Sequence, residues 1–258
     1  MRVAITREVG PAIARCELTH LARVAIDVDA ARAQHEAYER CLSALGCSVE
    51  RLPGDPELPD AVFVEDAAVV LDEVAVIARP GAPSRRPEVS AVAAALARYR
   101  ALRRIEAPGT LDGGDVLRVG RCVFVGSSGR TNAAGIAQLR LILGDYGYSV
   151  EEVPIDGCLH LKTAVTAVSD DLLLVNPEWV AADGLGVRAQ AGVLEVDPAE
   201  PFGANALRVG DTIVYPAAFP RTRARLAARG LRVEPVEAGE LAKAEGGVTC
   251  CSLIVDVS

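Results

Sequence analysis

The stretch Leu143-Gly144-Asp145-Tyr146-Gly147-Tyr148-Ser149-Val150-Glu151 reads as the end of a helix, a glycine, and the start of a strand. The glycine fits a helix C-cap, where a left-handed backbone ends the helix. The same order recurs at Leu42-Ser43-Ala44-Leu45-Gly46-Cys47-Ser48-Val49-Glu50 and at Leu226-Ala227-Ala228-Arg229-Gly230-Leu231-Arg232-Val233-Glu234. A fourth copy, from Val92 to Ile105, keeps the order without the glycine. The repetition predicts a chain of similar α/β units.

Each unit also contains two strand-like runs around a turn, as at 115–125 and 206–215. A polar residue recurs at a similar place in the units, with gaps of 49, 47, 43 and 45: Asp66, Asp115, Lys162, Asn205 and Cys250. Generic α/β repetition explains the units but not these polar positions. A closed ring of five units, whose strands bring polar side chains to one central opening, explains both.

Composition describes an ordinary folded protein of 258 residues, with 50% hydrophobic and 4% aromatic residues. These values predict a large aliphatic core. No Ser/Gly-rich or Pro-rich linker divides the chain, so we expect a single domain over residues 1–258. The net charge of −8 and the lack of a Lys/Arg run argue against nucleic acid as a partner. No window approaches the roughly 20 apolar residues of a membrane span.

The seven cysteines are odd in number and irregularly spaced, which argues against a disulfide framework. The first residues, Met1 to Arg7, read as a strand rather than a signal peptide. We therefore expect a cytoplasmic protein with free thiols. Oligomeric state is not readable from the sequence, and a homodimer is kept as one option.

Two adjacent thiols, Cys250 and Cys251, lie in the last strand-like run, Gly246 to Val255. Neighbouring residues on a strand face opposite sides, so only one can face a given site. His160 lies between Leu159 and Leu161 in another apolar run, whereas His20 and His35 lie in polar surroundings typical of the surface. A lone thiol or buried histidine is more often structural. Together with acids in similar runs, they indicate a nucleophile and a proton-transfer group.

Carboxylates interrupt two further apolar runs. Glu65 and Asp66 follow Val64, and Asp112 and Asp115 flank two glycines. Buried carboxylates are costly unless paired, so they need either a cationic ligand or an arginine of the protein. Arginines at 85 and 130 lie in small-residue loops, where each alone is most simply a solvated surface residue, although a guanidinium also suits a carboxylate ligand.

Several kinds of site are not indicated. The sequence has no Gly-x-Gly-x-x-Gly after a strand and no phosphate-binding loop. With three histidines, none within a few residues of Cys250, no zinc spacing is present. We therefore expect neither a metal nor another cofactor.

The motifs together resemble the dimethylarginine dimethylaminohydrolases, enzymes of the guanidino-modifying superfamily that adopt a five-bladed α/β propeller (the pentein fold) of ββαβ-type repeats around a central active site. The matching segments run nearly end to end: residues 58–66, 79–86, Thr110-Leu111-Asp112-Gly113-Gly114-Asp115, Gly129-Arg130-Thr131-Asn132, Leu159-His160-Leu161-Lys162 and Gly247-Val248-Thr249-Cys250.

This resemblance implies an enzyme that hydrolyses Nω-methylated L-arginine to citrulline and dimethylamine or methylamine through a covalent cysteine intermediate. Cys250 would be the nucleophile, His160 the proton donor and Asp112 the acid that orients it, although some relatives have Glu there. The substrate-binding residues would be Asp66 and Glu65 for the guanidine, Asp60 and the backbone of Leu18 for the amino group, and Arg85 and Arg130 for the carboxylate.

Two alternatives remain. Arginine deiminases share the implied fold and nucleophile, but they typically carry a His-x-Asp motif and an added helical insertion. This chain has Lys162 at the motif's acidic position, and it has no room for the insertion, which favours a methylated substrate. The second alternative is a non-catalytic binding propeller, and the presence of both Cys250 and His160 argues against it.

Overall fold

The computed structural model of the chain describes residues 1–181, 185 and 190–257. The strands are β1 (Arg2–Arg7), β2 (Cys47–Leu52), β3 (Ala68–Val70), β4 (Val74–Ile77), β5 (Ala101–Arg104), β6 (Val116–Val119), β7 (Cys122–Ser127), β8 (Ser149–Pro154), β9 (Val165–Ala167), β10 (Leu172–Val175), β11 (Gly192–Glu195), β12 (Leu207–Val209), β13 (Thr212–Pro216), β14 (Arg232–Val236) and β15 (Leu253–Asp256). The helices are α1 (Val28–Ala44), α2 (Val89–Leu96), α3 (Ala133–Gly144), α4 (Leu161–Ala164), α5 (Pro220–Ala228) and α6 (Gly239–Ala242).

These strands form five sheets of three strands each. Their orders are β15-β1-β2, β3-β4-β5, β6-β7-β8, β9-β10-β11 and β12-β13-β14. In every sheet the first strand pairs antiparallel with the middle strand, and the middle strand pairs parallel with the last. A parallel pair needs a crossover, which α1, α2, α3 and α5 provide in four sheets. The predicted ββαβ units and five-bladed propeller are confirmed.

The first sheet joins the two ends of the chain. β15 pairs antiparallel with β1, with Arg2 opposite Asp256, and the Arg2 Nε donates to Asp256 Oδ1 at 2.8 Å. The amide of Val257 also donates to the Met1 carbonyl at 2.7 Å. The C-terminal strand therefore completes the first unit. This brings Cys250, three residues before β15, next to elements from the front of the chain.

The repeated glycines end their helices as predicted. Gly46, Gly147 and Gly230 have φ of +87°, +76° and +79°. A left-handed backbone of this kind is strained for other residues and routine for glycine. Each glycine thus ends a crossover helix and starts the turn into the outer strand.

Within the described ranges, apolar side chains between the sheets form five buried clusters that are mainly aliphatic. Among the described residues, the helices are all too short or too polar to cross a membrane.

The inner strands, which are the first of each sheet (β15, β3, β6, β9 and β12), are shorter than the sequence suggests. A helical turn precedes four of them: Val64–Ala67, Gly113–Asp115, Leu161–Ala164 and Pro201–Ala204. A hydrogen-bonded turn at 247–250 precedes the fifth, since the Cys250 amide donates to the Gly247 carbonyl at 3.2 Å. The prediction that the chemistry-bearing residues lie within strands is therefore wrong. They lie in or beside these turns, where a curved backbone aims several side chains at one point.

Candidate active site

A small polar cavity lies beside three of these turns, at Asp66, His160 and Cys250. Six of the nine predicted site residues line it: Asp60, Asp66, Arg85, Arg130, His160 and Cys250. The cavity draws on residues from positions 17 to 250, so its assembly depends on closure of the ring. The remaining three predicted residues, Leu18, Glu65 and Asp112, lie around the cavity and do not line it.

Cys250 presents its thiol to this cavity. The Gly247 amide approaches its Sγ at 3.3 Å, and the Cys250 carbonyl accepts the Glu65 amide at 3.1 Å. Burial, together with the negative charges of Glu65 and Asp66, raises the pKa of the Cys250 thiol to about 12. The group is therefore a protonated thiol at neutral pH in the empty site.

Cys251 faces the other way. It is 1% exposed and packs in the cluster between the first and last sheets, with its Sγ 3.5 Å from the Gly247 carbonyl. Of the two adjacent thiols, the cavity therefore receives Cys250.

His160 precedes α4 in an extended conformation and lies between two carboxylates. Its Nε2 is 3.1 Å from Asp112 Oδ2, and its Nδ1 is 3.8 Å from Asp66 Oδ1. Burial alone would lower the pKa of this imidazole, but the charges of Asp66, Asp115 and Asp112 raise it to about 9. The ring is therefore an imidazolium at neutral pH and can give a proton to a bound group.

Asp112 is fully buried behind His160. Its Oδ1 accepts the Gly81 amide at 2.9 Å, and its own amide donates to Thr131 Oγ1 at 3.1 Å. These bonds fix the carboxylate, so Asp112 reaches His160 although it is one methylene shorter than a glutamate.

Asp66 sits on the opposite side of the ring from Asp112. Its Oδ2 accepts Arg85 Nη1 at 2.5 Å and its Oδ1 accepts the Gly114 amide at 3.0 Å. Burial would raise the pKa of Asp66, but His160 and Arg85 outweigh it and lower the pKa to about 2. Asp66 is therefore a carboxylate at neutral pH, paired inside the protein by an arginine.

Arg85 is buried, not a solvated loop residue, and lies in a short 3₁₀ helix, Pro83–Glu88. Its Nε and Nη2 donate to Glu88, and Nη2 also reaches the Asp60 and Phe63 carbonyls at 3.2 Å. Together with the bond to Asp66, these contacts leave one N–H on Nη1 for a ligand.

Glu65 is directed away from the polar cavity. Its Oε1 pairs with Lys162 Nζ at 2.5 Å and its Oε2 accepts the Thr249 hydroxyl at 2.7 Å. Glu65 and Lys162 instead line a second cavity, bounded largely by the inner strands. The two neighbouring acids therefore diverge.

The loop of residues 16–27, which precedes α1, covers the far side of the polar cavity. The Asp60 carboxylate accepts the Glu17 amide at 3.1 and 3.2 Å, and Arg130 Nη2 donates to Thr19 Oγ1 at 3.2 Å. The Leu18 side chain packs against the core cluster of the first sheet, while Glu17 beside it lines the cavity. Asp60 and Arg130 thus contact both the cavity and the loop.

Several residues of the site were missed by sequence reasoning. A Cβ built on Gly114 would lie 2.7 Å from both Asp66 Oδ1 and His160 Nδ1, so this glycine allows the two groups to approach each other. Tyr38 supports the nucleophile turn from within the core, because its hydroxyl donates to the Val248 carbonyl at 2.9 Å. The adjacent glycines after Asp112 were a visible signal for Gly114. No neighbouring sequence motif indicated the role of Tyr38.

His35 is also placed differently from the sequence expectation. It is 2% exposed on the inner face of α1, with Nδ1 3.6 Å from Glu39. Burial lowers the pKa of His35. The expectation of a surface histidine was therefore wrong, but His35 remains outside the polar cavity's lining.

Asp66, Asp112 and His160 offer three ligand atoms within 4.8 Å of one another, a spacing compatible with a metal ion. The oxygens already accept hydrogen bonds from Arg85, Gly114 and Gly81. A cation would compete with the Arg85 guanidinium, so the arrangement suits proton transfer better than metal binding.

The chain is also similar to known proteins over most of its length. The family model described as arginine deiminase matches residues 55–195. The chain is 38% identical over 222 residues to N(G),N(G)-dimethylarginine dimethylaminohydrolase of Pseudomonas aeruginosa (85% of this chain, 86% of the relative). It is 40% identical over 252 residues to the protein of the same name from Streptomyces coelicolor (97% and 95%).

A solved structure of the Pseudomonas aeruginosa protein, a cysteine-to-serine variant complexed with citrulline, superposes with a TM-score of 0.91 at 35% identity and covers 97% of this chain and 98% of the other. Similarity thus extends over nearly the whole chain in both sequence and structure. This chain belongs to the dimethylarginine dimethylaminohydrolase family of the pentein superfamily.

Proposed function

We propose that this chain is a single-domain hydrolase that converts Nω-methylated L-arginine to citrulline and dimethylamine or methylamine. The observation that carries the proposal is that the thiol of Cys250 and the imidazolium of His160 line one small cavity together with the carboxylate of Asp66. These are a nucleophile, an acid and a cation-binding group, which cysteine-based hydrolysis of a guanidine requires. The citrulline complex of a relative gives independent support.

Substrate binding would begin with the guanidinium against Asp66, whose low pKa keeps it charged. The nearby cation stabilises a thiolate at Cys250, since an opposite charge within about 4–6 Å favours the charged form. Because His160 is already protonated, the thiol proton leaves to solvent.

The first chemical step would join Cys250 Sγ to the central guanidine carbon. The bond from that carbon to the methylated nitrogen then breaks, and His160 gives its proton to the departing amine. The product is a covalent thiouronium. Neutral His160 next takes a proton from water as the hydroxide attacks the same carbon. The C–S bond then breaks and returns the thiolate, and the proton of the new hydroxyl group passes to solvent, which leaves the neutral ureido group of citrulline.

The amino-acid end of the substrate would lie toward Asp60, the backbone near Leu18, and Arg130. Arg85 would contribute its one remaining N–H to the carboxylate while it holds Asp66 in place. We assign Glu65 a supporting role, because its contacts with Lys162 and Thr249 fix the floor beside the guanidine site.

An apolar cavity of about 200 Å³ on the other side of Cys250 favours a methylated substrate. Leu159, Phe202 and Val248 contribute to its lining, and Leu159 and Cys250 also line the polar cavity. Methyl groups on the leaving nitrogen could therefore be buried there at a gain of about 0.8 kcal/mol per carbon. A plain guanidinium would leave this space to water.

Arginine deiminase activity is the second candidate, because the family model that matches bears that description. A citrulline-release panel with L-arginine, monomethylarginine and asymmetric dimethylarginine separates the two. We expect faster turnover of both methylated forms, with methylamine or dimethylamine as co-product, and no activity in Cys250→Ser. Faster turnover of arginine would reverse the substrate assignment, whereas binding without citrulline in the wild type would indicate a non-catalytic binding protein.

We also propose action in the cytoplasm, in keeping with seven free cysteines, on the free amino acid and without a cofactor. A homodimer remains an option that sizing by light scattering would test.

A further inference from the structure

Glu245 binds the backbone of the 16–27 loop with a single carboxylate. Its Oε1 accepts the amides of His20 and Leu21, each at 2.6 Å. The amide of Thr19 lies 3.1 and 3.0 Å from Oε1 and Oε2. Three consecutive N–H groups that converge on one anion form a backbone nest, which fixes the conformation of a loop strongly.

Two of the other anchors of this loop involve groups that the proposed mechanism assigns to substrate. The Glu17 amide donates to Asp60, and Thr19 Oγ1 accepts from Arg130. A bound amino acid would draw on both Asp60 and Arg130, so these two anchors change when substrate enters. Glu245 has no such assignment, and its contact can persist throughout the reaction.

Glu245 is held in an unusual backbone conformation. Its φ is +59°, in the left-handed region that is uncommon for residues with a side chain. Its amide donates to the Ala242 carbonyl at 3.1 Å, and the next amide, of Gly246, donates to the Leu241 carbonyl at 3.2 Å. A strained position that persists in a fixed turn is a reason to look for a function.

The same turn leads directly to the nucleophile. Gly246 packs against Phe63, since a Cβ there would lie 2.1 Å from the ring, and the Gly247 amide contacts Cys250 Sγ. Glu245 therefore joins the loop at the amino-acid end of the cavity to the segment that carries the thiol. It also lines the polar cavity itself.

We propose that Glu245 is a positioning residue that holds the 16–27 loop in register over the amino-acid end of the substrate, so that recognition of the α-amino and α-carboxylate groups depends on it. This inference rests on the proposed function. It predicts that loss of the carboxylate weakens binding of substrates that carry the amino-acid group and leaves guanidines without that group unaffected.

The test compares Glu245→Gln and Glu245→Gly. The first keeps the shape but replaces one accepting oxygen by a donor; the second suits the left-handed backbone and removes both oxygens, so a shared effect cannot come from strain. With monomethylarginine we expect KM to rise about tenfold or more, as for loss of a charged hydrogen bond, and kcat to stay within about threefold. With N-butyl-N'-methylguanidine, which lacks the amino-acid group, KM (or the inhibition constant, if it is not turned over) should not change.

Glu237→Gln is the matched control, because Glu237 is an exposed acid on the connection before α6. Equal losses for both guanidines, or an unchanged KM for monomethylarginine, would overturn the proposal. Amide hydrogen exchange gives a readout that needs no turnover: exchange at residues 19–21 should accelerate about tenfold in both Glu245 variants, with strand β1 unchanged. Slow exchange at 19–21 in both variants would also overturn it, even if the wild type released no citrulline and the proposed function itself had failed.

Discussion

Nε2 of His160 lies 3.1 Å from Oδ2 of Asp112, a carboxylate that is wholly buried. This contact orients the ring and contributes to the pKa of about 9 at His160, in spite of the burial that would lower it. Because Asp66 lies near the other nitrogen, the ring is held between two negative charges. The pair thus keeps His160 protonated at neutral pH, and the proposed mechanism gives this proton to the leaving amine.

Replacement of Asp112 tests this relationship. In Asp112→Asn, loss of one negative charge should lower the pKa of His160, so the alkaline limb of the kcat/KM profile should move below its wild-type position near pH 9. We expect kcat at neutral pH to fall roughly a hundredfold. Steady-state kinetics from pH 6 to about 10 measure both effects.

Asp112→Glu is the conservative control, since it restores the charge and should recover much of the activity. An Asp112→Asn profile with the alkaline limb unmoved would show that Asp112 does not set the protonation of His160.

The thiol of Cys250 gives a second prediction. Because burial and the Glu65 and Asp66 charges raise its pKa to about 12, the empty enzyme should contain little thiolate at neutral pH. A guanidinium ligand that is not turned over should lower that pKa, because its positive charge favours the thiolate. Ultraviolet absorbance of the wild type minus that of Cys250→Ser isolates this thiol from the other cysteines. Mostly thiolate at pH 7 without ligand would contradict the substrate-assisted step.

The sequence predicts the ring well because its signals are local. A glycine with a left-handed backbone ends a helix wherever it occurs, so the copies at Gly46, Gly147 and Gly230 could be recognised without knowledge of distant contacts. The inner strands were misjudged for the opposite reason. Turns of three or four residues, such as Val64–Ala67, are too short for apolar periodicity to distinguish from a strand.

Two side chains that the sequence placed at the surface, Arg85 and His35, are buried. Arg85 was read as a loop residue because its burial depends on Asp66, nineteen positions away, although Glu88 at i+3 was a visible partner. His35 shared the helical spacing of Ala31 and Tyr38, both buried on the inner face of α1, and this spacing was a stronger signal than its polar neighbours.

The protonation of His160 should also appear in stability. A pKa raised from 6.5 to about 9 means that the folded state holds the proton more tightly, so this stabilisation is complete below pH 6.5 and is lost as pH rises to 9. The difference amounts to at most about 3 kcal/mol. Urea unfolding at pH 6.5 and 9 should therefore show a fall in stability that is smaller in His160→Gln. The raised pKa of Glu88, about 7, acts mainly below this window. Equal falls in the two proteins would contradict the raised pKa.

Gly114 offers a test of how closely the site is packed. A methyl group at this position would lie 2.7 Å from Asp66 Oδ1 and from His160 Nδ1, so Gly114→Ala must push the two groups apart. We expect activity to fall by roughly a hundredfold, since small misplacements at a reacting centre are costly, and stability to fall by about 1–3 kcal/mol.

Gly144→Ala is the matched control: a Cβ there meets nothing within 4 Å, and at the end of α3 it should be neutral or stabilising by up to about 1 kcal/mol. Citrulline assays and urea unfolding measure the two variants side by side. Full activity in Gly114→Ala would mean that the carboxylate and the imidazole do not need to meet at this distance.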